Sequence, residues 1–374
     1  MQRGISSIIL SSASLCFLPL LGKPGRRFAS VAGVRHCIVS GNLALFAQEL
    51  NRKGLKPGLT KAVDMALSAE VKLETREMDG AAIDCLEDSG IRIMVNRLGA
   101  ELVSLRAADA GGALHGFLYR DGEIAAPASG WGNHATVMGY FLHRLLGEHS
   151  LYRGVALTGG THGFLRHFLF DAPELRGSEL IYRVDPARIP PGAYPLRVGL
   201  ELSYSLTAGR LRVGFRFENQ EPELDAHLSF GLHPGFAVTS PRTCKISLPA
   251  GHYVRHMAPG NFLDGKTESF DFAGGDFPFS RVGLPSSYIL GLGAVPGRTF
   301  RLEDAGRVVS LDFSSVPYVT FWSDGGPFVC IEPCWGLPDS NPQKPFEEKV
   351  GIQKIAPGAV LEASFTIHPS FAPR

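Results

Sequence analysis

From Glu70 to the C-terminus the dominant period of the chain is two. Val71-Lys72-Leu73-Glu74-Thr75 alternates apolar and polar residues, and so do Leu211 to Phe217, Val308 to Phe313 and Val360 to Ile367. Ile91 to Val95 and Tyr318 to Trp322 are shorter runs of the same kind. Successive side chains on a strand point to opposite faces, so this alternation marks half-buried antiparallel strands. Turn formers punctuate the runs at Asp79-Gly80, Ala110-Gly111-Gly112, Pro191-Gly192, Ala208-Gly209 and Ser323-Asp324-Gly325-Gly326. Helical patterning is confined to one or two turns' worth between Glu49 and Ala69. The pattern predicts a single all-β domain over residues 70–374, made of stacked antiparallel sheets. No repeat of fixed period is present, which disfavours a propeller. The glycines from Gly154 to Gly163 form neither a GxGxxG nor a GK[ST] loop, so no phosphate cradle is expected.

Composition narrows the function classes. The formal net charge is +1, from 37 basic and 36 acidic residues, and this balance argues against a nucleic-acid partner. The six cysteines, at 16, 37, 85, 244, 330 and 334, are dispersed through a long chain and do not read as a disulfide framework. Cys330 and Cys334 flank Glu332 and invite a metal reading. No second Cys or His pair at ligand spacing accompanies them, and the spacings of His134, His143 and His149 fit no ligand pattern, so no metal is expected. Buried, unpaired cysteines favour the cytoplasm.

Residues 1–69 differ from the rest. No acidic residue precedes Glu49, and Ile5 to Leu21 is apolar and serine-rich before Lys23, Arg26 and Arg27. Ser30-Val31-Ala32 would serve as a cleavage site, so residues 1–32 are compatible with an export or organelle-targeting segment. The basic cluster after the apolar run speaks against a signal peptide, and the serines speak against a membrane span. An extension outside the working domain fits equally. No stable membrane association is expected, and the oligomeric state is left open.

Two segments carry the chemistry. Phe230-Gly231-Leu232-His233-Pro234-Gly235-Phe236 and Cys330-Ile331-Glu332-Pro333-Cys334-Trp335-Gly336-Leu337-Pro338-Asp339 each place one titratable group in an apolar run directly before a proline. Proline restricts the residue before it to extended geometry, which suggests a strand end with little backbone freedom. Gly235 would let a ligand approach the backbone. A lone carboxylate such as Glu332 is costly to bury without a partner, so it is either one half of a buried ion pair or a general base with a raised pKa. His162 lies between glycines in Gly159-Gly160-Thr161-His162-Gly163, and Arg166 follows four residues later with a guanidinium fork to offer a ligand. Arg144 is a candidate to reach a ligand hydroxyl or an acidic pocket residue. Trp335 is either a stacking wall for a sugar ring or a core residue.

The order His162-Gly163-Phe164-Leu165-Arg166, then Leu232-His233-Pro234-Gly235-Phe236, then Ile331 to Asp339 resembles the aldose 1-epimerase (galactose mutarotase) family, in its divergent bacterial branch, over roughly residues 70 to 370. The resemblance implies a large antiparallel β-sandwich, a monosaccharide substrate and no cofactor. It implies that His233 is the general acid, Glu332 the general base, His162 a second pocket histidine near the ring oxygen and Arg144 a substrate-binding arginine. The family also uses an Asp to hold sugar hydroxyls, and Asp264, Asp271 and Asp276 all compete for that place here. The activity expected is interconversion of hexose anomers. The alternatives are a hexose-6-phosphate mutarotase, with Arg144, Arg153 and Arg166 at the rim, a carbohydrate-binding protein without turnover, and a lyase or hydrolase on a similar sandwich.

Overall fold

A computed structural model describes residues 71–278 and 287–373; the expected N-terminal extension and the helical turns between Glu49 and Ala69 lie outside them. The strands belong to one compact unit, Lys72–Arg374. The described residues hold strands and short 3-10 turns but no α-helix. Each alternating run of the sequence is a strand. Leu211 to Phe217 lies in Arg210–Asn219, Val308 to Phe313 overlaps Arg307–Asp312, and Val360 to Ile367 lies in Val360–Phe371.

Hairpins form where the turn chemistry allows. Arg210–Asn219 pairs with Val198–Thr207 through Ala208-Gly209, whose φ angles are 49° and 74°. Two consecutive positive φ values make the type I′ turn, whose twist matches that of the flanking strands. Val198–Thr207 then alternates strictly between buried and half-exposed residues, which turns Val198, Leu200, Leu202, Tyr204 and Leu206 inward.

Two large antiparallel sheets stack. A nine-stranded sheet contains Val198–Thr207, Arg210–Asn219 and Val360–Phe371, and a seven-stranded sheet contains Ala135–Met138, Phe230–Ala237, Phe328–Trp335 and Tyr318–Trp322 as neighbours. Aromatic rings join them. Phe215 and Phe217 of the first sheet lie 5.0 and 4.6 Å from Phe230 of the second, and Phe230 stacks on Trp335 at 5.0 Å and 6°. Each such buried ring contributes about 1.5–3 kcal/mol relative to exposure. This layer is the core of a β-sandwich, and it decides where the functional groups lie. The even-numbered residues of Phe230–Ala237 face the nine-stranded sheet, which leaves Gly231, His233 and Gly235 on the opposite face.

Candidate active site

The register puts His233 and Glu332 together. Gly231 pairs with Cys334 and Gly235 with Cys330, so His233 and Glu332 sit directly across from one another on adjacent antiparallel strands. His233 Nε2 is 3.3 Å from Glu332 Oε1, and both side chains are buried. Neither residue marks a strand end, as the proline steps had suggested. Both strands run through their prolines, to Ala237 and Trp335. The Gly235 amide donates away from Glu332, to His134 O, so the even-numbered amides face the Phe328–Trp335 strand. Pro234 has no N–H to give there, and neither does Pro333 from the other side. The prolines therefore remove ladder bonds beside the pair, and pairing resumes on both sides of it.

Burial dominates the electrostatics. It pushes the Glu332 carboxyl well above the usual carboxylate range. Burial, with the His143 and Arg166 charges nearby, pulls His233 down to about 3. Both shifts favour the neutral pair, in which one proton sits on the carboxyl and faces Nε2. The other polar atoms, Glu332 Oε2 and His233 Nδ1, are buried without a hydrogen-bond partner. Unsatisfied buried groups cost about 1–3 kcal/mol each, a cost that an arriving ligand with hydroxyls would relieve.

His162 completes the polar floor. Its backbone N–H donates to His143 O at 2.6 Å, and the His143 N–H donates to His162 Nδ1 at 3.2 Å. Nδ1 is thus an acceptor, so the neutral ring carries its proton on Nε2. The ring meets His233 edge to face at 5.2 Å. Burial holds its pKa well below the ordinary histidine value, helped by His233, His143, Arg166 and Arg144. The space beside Gly163 belongs to the protein itself, because a Cβ there would lie 2.3 Å from Gly139 O.

Arg166 is half-buried and donates to Asn133 Oδ1 at 3.4 Å, and burial lowers its pKa. Arg144 is exposed, and its side chain forms no hydrogen bond or ion pair among the described residues; only its backbone is engaged, accepting from Asp339 N. Trp335 is not a wall of this site. It is three residues from Glu332, an odd offset that turns it to the other face of the strand, where it packs on Phe230 and Phe215. The aromatic walls are Trp131 and Trp322, both half-buried, whose rings lie 5.1 and 5.7 Å from that of His233. Gly235 makes room for Trp131, not for a ligand: a Cβ there would lie 2.3 Å from the indole.

The acidic candidates for a hydroxyl-binding role are engaged elsewhere. Asp264 pairs with Lys266, Asp271 with His252, and Asp276 accepts from Ser247. Glu101 accepts from His134 N and Thr136 Oγ1, and Thr136 is the residue opposite His233 on the neighbouring strand. His143 was not singled out for this pocket by the sequence either. It is buried, with burial first and Lys349 second holding its pKa at about 4, and its Nε2 has no hydrogen-bond partner. One ligand atom each from His143, Glu332 and Cys334 lies within 4.8 Å of the others, an arrangement that could hold a metal ion. The four described cysteines, 85, 244, 330 and 334, are buried and free. No described helix is long and apolar enough to cross a membrane.

The chain is similar in structure to a galactose mutarotase related enzyme from Lactobacillus acidophilus, at 21% identity and a TM-score of 0.68 over 77% of this chain and 97% of the other. It is similar to a galactose mutarotase-like protein from Lactobacillus casei, at 20% identity and 0.65, covering 77% and 99% of the two chains. A galactose mutarotase-like protein from Clostridium acetobutylicum matches at 15% identity and 0.63, covering 81% and 99%. At these identities the likeness shows the fold. No curated protein matches the chain. The family model for aldose 1-epimerase matches residues 158–368, more than half of the sequence and a span that contains His162, His233 and Glu332. This chain belongs to the aldose 1-epimerase family.

Proposed function

We propose that the protein is a mutarotase that interconverts the α and β anomers of an aldose, using Glu332 and His233 as its proton-transfer pair. The observation that carries this reading is the cross-strand contact of 3.3 Å between two buried titratable groups, each with a second polar atom left unpaired. The buried carboxylate of Asp84 is hydrogen-bonded on every side, whereas this pair has vacant hydrogen-bonding capacity next to Trp131 and Trp322, aromatic surfaces suited to a sugar ring.

The reaction needs one proton between the two groups, and the neutral pair holds one. The C1 hydroxyl of the sugar donates to Glu332, which favours the ionised carboxylate and passes the shared proton to His233. Glu332 then takes the C1 hydroxyl proton while His233 protonates the ring oxygen. The C1–O5 bond breaks as the C1 carbonyl forms. Rotation about C1–C2 presents the other face of the aldehyde, and the steps reverse, returning each proton. His162, with its proton on Nε2, is a donor to the ring oxygen, and Arg166 a donor to hydroxyls. Each positioned proton transfer supplies about 10²–10⁴-fold.

The test is anomer exchange, followed by polarimetry or NMR on freshly dissolved α-D-glucose, α-D-galactose and their 6-phosphates. Acceleration abolished in Glu332→Gln and His233→Asn supports the proposal. Saturable sugar binding with no acceleration would establish a binding protein instead, and full rates in both variants would remove the pair from the mechanism.

A further inference from the structure

In sequence, Cys330-Ile331-Glu332-Pro333-Cys334 has no second Cys or His pair at ligand spacing, and the fold supplies a histidine from far along the chain. His143 brings a ring nitrogen to the same spot, so that it, a Glu332 oxygen and Cys334 Sγ lie within 4.8 Å of one another. All three side chains are buried. Two of these residues keep an orphan atom: His143 Nε2 and Glu332 Oε2 have no hydrogen-bond partner. Cys334 Sγ has only a 3.8 Å contact with Thr320 Oγ1. Three buried donors of different softness converge there with hydrogen-bonding capacity left over on His143 and Glu332.

We propose that His143, Glu332 and Cys334 bind a thiophilic divalent cation, Zn²⁺ being the best match, and that this cation inhibits the enzyme by occupying Glu332. Imidazole, carboxylate and thiolate are the donors that zinc takes, and three protein ligands leave its fourth position for water or for His233 Nε2, which is 3.3 Å from Glu332 Oε1. Tetrahedral zinc bonds of about 2.0–2.3 Å separate ligand atoms by roughly 3.5 Å, so the side chains must draw together by about 1 Å. Binding releases the thiol proton of Cys334 and the carboxyl proton of Glu332 to solvent, and no electron is transferred. The binding half of the inference is independent of the proposed function, and only the inhibitory half rests on Glu332 being the base.

Cobalt(II) reads the two halves separately. Titrating Co²⁺ into the full chain should give one bound equivalent with tetrahedral d–d bands and a thiolate-to-cobalt charge-transfer band, both displaced by Zn²⁺. Cys334→Ser should remove the charge-transfer band and weaken binding by about 100-fold, and His143→Gln should weaken it similarly. Cys330→Ser should leave the spectrum unchanged. In the anomer-exchange assay, Zn²⁺ should inhibit the wild type reversibly with a chelator, and Cys334→Ser should need about 100-fold more zinc. Cobalt binding without a thiolate band, or a band that survives Cys334→Ser, overturns the site. Should Cys334→Ser fail to fold, the wild-type band and an about 100-fold weaker cobalt affinity in His143→Gln decide the matter. A thiolate band with anomer exchange undiminished by Zn²⁺ overturns the inhibition alone. Absence of any exchange defeats the proposed function and leaves the spectrum to decide the site.

Discussion

Two carboxylates, Asp84 and Glu332, lie on strands of this molecule with almost no exposure, and the fold treats them in opposite ways. Asp84 accepts four hydrogen bonds: from Thr75 Oγ1 at 2.7 Å, Arg97 Nε and Nη2 at 2.9 and 2.8 Å, and Tyr182 OH at 3.0 Å. Glu332 has a histidine at 3.3 Å and an oxygen with no partner at all. A charge enclosed by donors is spent on structure, because every lone pair is already used. A carboxyl enclosed by apolar strands and one imidazole keeps its proton and its unused capacity, and that is a state chemistry can use. The comparison gives a physical criterion for telling a functional buried acid from a structural one: the count of partners, not the depth of burial.

The sharpest way to break the comparison is to neutralise each carboxylate without changing its shape. Glu332→Gln should lower anomer exchange by about 10²–10⁴-fold and leave the melting temperature within a few degrees, because Gln replaces a group that is already neutral in the fold. His233→Asn should lose a similar factor. Asp84→Asn should do the reverse. Arg97 and Tyr182 would face an amide where they now bond a carboxylate, at a cost to stability of about 3 kcal/mol, with the rate per folded molecule unchanged. Chemical denaturation and polarimetry on the same preparations separate the two outcomes. A large stability loss in Glu332→Gln would mean that the site is a structural ion pair.

What the sequence disclosed follows from how many faces of each strand are buried. Strands with one wet face, such as Val360–Phe371, alternate and are readable. Phe230–Ala237 and Phe328–Trp335 are buried on both faces, so they read as apolar runs in which His233 and Glu332 stand out as the ionisable residues. The same two-sided burial hid their length, since a proline within an apolar run looks like an end. Partners that depend on long-range closure were not legible. Trp131 and Trp322 reach His233 from separate segments, and His143 reaches Glu332 from far along the chain. Trp335 drew attention by lying near Glu332 in sequence, and the pleat turns it away.

A smaller effect comes from pH, and its sign can be worked out. His143 and His233 have folded values of about 4 and about 3 against an ordinary 6.5, so their contribution to stability is fully present above pH 6.5 and is lost as pH falls through the acid range. His162 acts in the same direction. Glu332, raised by burial, acts in the opposite direction: it favours the fold below pH 4.5 and opposes it above. Three imidazoles outweigh one carboxyl. At pH 5 each uncompensated histidine should cost about 2 kcal/mol relative to pH 7, visible as a falling melting temperature. Activity should not follow that curve. The pair keeps its single proton through this range, so the rate per folded molecule should stay level from pH 7 to 5 and decline on the alkaline side as Glu332 loses its proton. A kinetic step near 6.5 would mean that His233 titrates like an exposed histidine and that the neutral pair does not exist.

The comparison can also be drawn between tryptophans, where the effect is smallest and the discrimination finest. Trp335 is 4% exposed and stacked on Phe230, whereas Trp131 is half-buried over His233. Trp335→Phe keeps a ring in the core but leaves space behind it, so it should cost about 1–2 kcal/mol of stability with KM unchanged. Trp131→Ala removes little from the core and one wall from the sugar site. It should raise KM by about tenfold, the worth of one aromatic contact, with kcat nearly constant. Gly235→Ala offers an independent route to the same wall, because its Cβ would lie 2.3 Å from the Trp131 ring and push it aside without touching the acid or the base. If Gly235→Ala and Trp131→Ala each raise KM and the double variant is no worse than either, both act through the position of the indole. If the effects add, Gly235 acts on the strand itself, and through it on His233 two residues away.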